Sequence, residues 1–85
     1  MKEELKKRTK AFAVSIIEMT ETLPRKNSTF PITNQIIRSS TSIGANYRAP
    51  LRGRSKAEFI AKLGVVVEES DETLYWLEII AKSNS

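Results

Sequence analysis

The chain has no cysteine and no histidine among its 85 residues. Without cysteine there is no disulfide framework and no thiolate metal site. Without histidine it lacks the commonest general base and the side chain that switches charge near neutral pH. Glycine and proline are scarce, three of each, so long periodic segments run with few interruptions. No stretch approaches the roughly 20 apolar residues of a membrane span. The charged start, Met1-Lys-Glu-Glu-Leu-Lys-Lys-Arg8, is not a secretory signal. A cytoplasmic protein with no membrane association is therefore expected. A chain this short buries only about 60% of its unfolded surface. Natural domains near this size lean on disulfides, metals or a partner chain, and of those supports a partner chain is the one left open. Hydrophobic residues make up 40% and charged residues 28%, the balance of one ordinary globular domain over residues 1–85.

Charge is uneven. The net charge of +4 divides into +8 over residues 1–62, which hold every basic residue but Lys82, and −4 over residues 63–85. Such asymmetry fits a nucleic-acid footprint, or two halves that attract each other within or between chains.

Periodicity predicts three helices, over about 2–23, 32–48 and 56–82. In the first, Leu5, Phe12 and Met19 alternate with Thr9, Ile16 and Leu23 in a heptad-like stripe flanked by Ala13 and Ile17. Pro24 ends it, because the residue before proline is driven out of the helical region. Pro31 suits the first turn of the second helix, whose Ile32, Ile36, Ser40, Ile43 and Tyr47 share one face. Ser39, Ser40, Thr41, Ser42, Gly44 and Ala45 make that helix thin. These are mostly poor helix formers, so close packing of a neighbour is the reading they favour. A nucleophilic or phosphate-binding serine loop would need an activating histidine or a Gly-Lys-Ser/Thr ending, and neither is there. Pro50 stops the second helix, and the short connector Pro50–Arg54 makes the third an antiparallel neighbour. Ser55-Lys-Ala-Glu58 reads as a capping box. Leu63, Ser70 and Leu77, interleaved with Val67, Leu74 and Ala81, then form a seam opened by Phe59.

Leu74-Tyr-Trp-Leu-Glu-Ile-Ile80 points apolar side chains in nearly every direction, because successive helical residues are about 100° apart. One groove between two helices does not cover them all. Leaving several exposed forfeits on the order of 5 kcal/mol at roughly 25 cal/mol per Å², comparable with the stability of a small domain. Tyr75, Trp76, Ile79 and Ile80 are thus expected at an interface of a homo-oligomer.

Three pieces resemble one known family: Thr33-Asn-Gln-Ile-Ile-Arg-Ser-Ser-Thr-Ser-Ile-Gly-Ala-Asn46, Arg54-Ser-Lys-Ala-Glu-Phe59 and Glu68-Glu-Ser-Asp-Glu-Thr-Leu-Tyr-Trp-Leu-Glu78. The resemblance is to the bacterial four-helix-bundle family, also called the 23S rRNA intervening-sequence protein family, and covers about residues 5–80. It implies an all-α, antiparallel up-down bundle, a ring-like homo-oligomer (pentamers occur) and no established enzymatic activity. A related branch, the accessory proteins of diversity-generating retroelements, binds nucleic acid and a reverse transcriptase. Two departures stand out. The family's fourth helix has no counterpart after Ile80, so a truncated bundle, or one completed by a partner chain, is expected. Ala49-Pro50 also replaces the usual glutamate and small residue after the Asn46 motif.

Chemistry is sparse. Glu68, Glu69, Asp71 and Glu72 form the densest acidic cluster, but the carboxylate di-iron sites of helical bundles need paired Glu-x-x-His motifs. Pairing with arginines such as Arg38 and Arg48 of the second helix, or plain solvation, is the expected role of these carboxylates. No catalytic residue, metal, cofactor or small-molecule substrate is inferred. Arg48, Arg52, Arg54, Lys56 and Lys62 gather around the second turn, with Lys6, Lys7, Arg8 and Lys10 at the amino end. They are the candidate contacts to RNA or DNA backbone, by a salt-sensitive and poorly sequence-specific mode.

Overall fold

The computed structural model describes residues 2–48 and 55–83, all of it helical apart from the turn between the first two helices and the residue that caps the third. The helices are α1 (Lys2–Thr20), α2 (Thr29–Arg48) and α3 (Lys56–Ser83). The fold is the expected all-α, up-down arrangement. α2 is the middle helix: it packs on both α1 and α3, whose backbones stay apart among the described residues. The molecule is long and narrow, 44 × 20 × 17 Å.

Helix ends follow local chemistry. α1 stops short of Leu23 because the chain tightens there, with the amides of Thr22 and Leu23 bonding back three residues to Met19 (3.0 Å) and Thr20 (3.2 Å). Such i→i+3 bonds satisfy end carbonyls that have no helical partner, and Pro24 prevents a further turn. α2 begins at Thr29, ahead of the expected Ile32. The Thr29 hydroxyl donates to the Pro24 carbonyl (2.6 Å) and accepts from the Lys26 amide (3.1 Å), fixing the turn before Pro31. Proline is tolerated there because first-turn amides lack intrahelical acceptors. At α3 the capping box is in place: Ser55 Oγ accepts from the Glu58 amide (3.2 Å), and Glu58 Oε1 accepts from the Ser55 hydroxyl (3.1 Å) and amide (3.5 Å).

The core sits towards the α1–α2 turn. Ile16, Ile36 and Ile80, one from each helix, meet there, flanked by Met19, Leu23, Ile32, Trp76 and Leu77. The thin part of α2 lies against both neighbours. Ser39 and Ser40 have no exposed surface. The Ser39 hydroxyl lies 2.9 Å from that of Thr73 on α3, so one donates to the other. Each also lies within hydrogen-bond distance of a carbonyl of its own helix, Ile36 at 3.3 Å and Glu69 at 2.8 Å. On the other side, a methyl group at Gly44 would stand 3.1 Å from Thr9 Oγ1. Glycine therefore sets how closely α1 approaches.

Candidate functional site

With α1 and α3 held apart over α2, a groove of about 420 Å³ opens between them, walled by Phe12, Leu74 and Leu77 and floored by Ile43 and the small Thr9, Ser70 and Thr73. Its rims carry two exposed apolar stripes at seven-residue spacing, Leu5 and Phe12 on α1 and Ile60, Val67 and Leu74 on α3. Val67 and Leu74 keep 60% and 57% of their surface, more than Tyr75 at 54%. The chain exposes 6039 Å² in all, whereas a compact monomer of 9.6 kDa exposes about 5,100 Å².

The uncovered apolar surface thus lies a stripe away from where the sequence places it. Ile80, expected at an interface, is 8% exposed inside the chain's own core, because the three helices converge at its level. Trp76 packs partly on that core, and its indole Nε1 donates to Glu72 Oε2 at 3.0 Å. Tyr75 stands outside, edge to face with Trp76 at 5.1 Å between ring centres. Ile79 is half-buried. Val67 and Leu74, read from sequence as core seam positions, are the ones left uncovered. The available signal was that Thr9, Ser70 and Thr73 are too small and polar to fill the space between two apolar seams.

The acidic cluster is occupied by Arg38, as expected, and among the described residues Arg48 forms no ion pair with it. Arg38 Nη1 lies 3.1 Å from Glu69 Oε2, and Nη2 bonds Glu72, so one guanidinium ties α2 to two successive turns of α3. The hydrogen bond from Trp76, then that from Arg38, hold the Glu72 carboxyl below its ordinary pKa. Arg38 is raised in return, chiefly by its hydrogen bond to Glu72. Among the described residues, no group of three carboxylates converges as metal ligands would.

The up-down order brings the amino end of α1, the carboxyl end of α2 and the amino end of α3 to one end of the molecule. Arg48 closes α2 and lines a shallow hollow with Lys10, Ala13 and Gly44. Lys56 is exposed at the start of α3, and Lys62 is half-buried one and a half turns on. Arg52 and Arg54 lie outside the described residues. No described helix is long and apolar enough to cross a membrane.

The model of one family, the 23S rRNA-intervening sequence proteins, matches residues 1–85. A solved structure is also similar, a protein of unknown function from the S23 ribosomal protein family of Bacteroides thetaiotaomicron. It is 40% identical, with a TM-score of 0.82 over 92% of this chain and 72% of that one. No curated protein matches.

Proposed function

Since the chain belongs to the 23S rRNA-intervening sequence protein family, we propose that it is a non-enzymatic subunit whose work is to assemble with copies of itself in the cytoplasm. The supporting observation is the open α1–α3 face, where Leu5, Phe12, Val67 and Leu74 remain exposed around an apolar groove. Scattered apolar residues are normal on a surface; a contiguous patch marks an interaction site. Apolar burial between chains supplies what the small core of one chain does not. The family resemblance favours a ring as the form of that assembly.

Light scattering tests this reading. The wild-type chain should show a mass of several subunits, and Leu74→Glu, which places a charge in the groove wall, should shift it towards one subunit while helicity is kept. An unchanged oligomer in that variant removes the groove from the interface. Trp76→Glu should act differently, lowering helicity, because Trp76 packs on the core.

A second reading rests on the basic end. Lys6, Lys7, Arg8, Lys10, Arg48, Lys56 and Lys62 all fall at the end where three helix termini gather, and repetition of that end in an assembly would multiply phosphate contacts. Binding of labelled RNA or duplex DNA through it should weaken steeply with salt. Binding indifferent to salt, or none at low salt, rejects it.

A further inference from the structure

We propose that the amino half of α1, up to about Phe12, is a strap that opens and closes on its own while α2 and α3 stay packed. The groove between α1 and α3 then has one fixed wall and one movable wall.

Burial divides α1 in two. Ile16 and Thr20 are buried, and Met19 and Leu23 pack beside Ile16 on the core. From Glu3 to Ser15 no residue is buried, and Lys6, Thr9 and Ala13 alone are half-buried. The stretches beside this segment are better held. α2 is buried at Ser40 and Ile43, and the amino half of α3 has Phe59, Leu63 and Val66 half-buried. Apolar burial is the main force that keeps one helix on another, so the amino half of α1 is the least firmly held.

Polar contacts divide in the same way. Arg38 ties α2 to Glu69 and Glu72 of α3, and Ser39 ties it to Thr73. Among the described residues, the side-chain bonds of the amino half of α1 stay inside α1. Lys6 pairs with Glu3 and Arg8 with Glu4, and the Thr9 hydroxyl lies 2.9 Å from the Leu5 carbonyl and 3.2 Å from that of Lys6. Thr9 therefore meets Gly44 by van der Waals contact alone.

Such local pairs add little to a helix, and an isolated helix shorter than about 12–15 residues is marginal in water. Once Thr9 leaves Gly44, the segment frays to coil instead of swinging out as a rod. Its hinge falls between Ala13 and Ile16, where burial begins. Segments with few buried contacts open locally at less cost than the whole fold.

The groove feels the consequence. Arg8, Thr9 and Phe12 on its one side belong to the strap, and Leu74 and Leu77 on the other belong to α3. Opening takes Phe12 out of the wall. A surface that seals the groove binds the closed strap better than the open one, and draws it shut by that difference in affinity. This coupling rests on the self-assembly reading above; the opening itself does not.

Amide hydrogen exchange of the full chain, read by mass spectrometry over a dilution series, tests the strap, with light scattering giving the mass at each step. Residues 6–12 are compared with 36–43 and 73–80; the first amides of α1 are left out because they have no intrahelical acceptor. At the lowest concentration, residues 6–12 should exchange at least about tenfold faster than the other two segments, as sub-global opening requires. Low urea should leave their rate unchanged, because local opening exposes little surface, while it speeds the other two together. Equal protection of all three segments at every concentration would overturn the strap. Fast exchange of residues 6–12 in the complete oligomer would support the strap and overturn its coupling to assembly. A monomer at every concentration would overturn the self-assembly reading and leave the strap to be decided by the same rates. Gly44→Ala supplies a second measurement, since its methyl group stands 3.1 Å from Thr9 Oγ1. Exchange of residues 6–12 should rise while that of 73–80 holds; an equal rise in all three would show that α1 opens only with the whole chain.

Discussion

Ile36 carries the core at its most enclosed point, with no exposed surface and Ile16 and Ile80 against it. Truncating it to alanine should cost about 2–5 kcal/mol, comparable with the whole stability of a domain this small. Urea unfolding followed by circular dichroism should show Ile36→Ala largely unfolded before denaturant is added; a midpoint near the wild type would mean that the core lies elsewhere. Glu72 gives a second prediction. Its pKa is lowered by the Trp76 indole and by Arg38, so its stabilising effect is complete above the ordinary carboxylate range and is lost as pH falls through the lowered native value. Trp76→Phe keeps an aromatic ring but removes the donor, and the Glu72 carboxyl followed by NMR should titrate closer to its ordinary value. No change would mean that the indole bond contributes nothing. At this scale the sequence was legible where a partner is local, as in the capping box Ser55–Glu58. It was less so for Ile80, because six apolar residues around one stretch of helix, Leu74–Ile80, do not say which of them the other helices reach.

The elements themselves were legible almost to their ends. Heptad spacing and three prolines set three helices; the shortfall at Leu23 and the early start at Thr29 come from hydroxyl and amide bonds in the turn, which periodicity does not report. The thinness of α2 was also legible, and its use is now specific: Ser39 meets Thr73, and Gly44 meets Thr9. Gly44→Leu should therefore push α1 off α2 and destabilise the chain by about 1–3 kcal/mol, as overpacking does. Unfolding midpoints of that variant and of Ser55→Ala separate packing from capping. The second should lose about 1 kcal/mol through its N-cap alone, with α1 undisturbed. An unchanged midpoint for Gly44→Leu would mean that α1 has room to spare at Thr9.

For the whole molecule, the bundle topology followed from helix count and short connectors, and the family from three motifs spread along the chain. The position of the open face did not follow, because a seam on each of three helices says nothing about which pair stays apart; that α1 and α3 do so is a fact of packing around α2. The consequence is a molecule with a small core at one end, an excess of positive charge at the other and apolar stripes along the open face between α1 and α3. That face calls for another surface, which the self-assembly reading has copies of the chain supply. The most direct test is the solution mass by light scattering of the wild type and Leu74→Glu over a dilution series. The account predicts a multiple of 9.6 kDa for the wild type and a helical species near one subunit for the variant. A folded wild-type monomer at every concentration would contradict it.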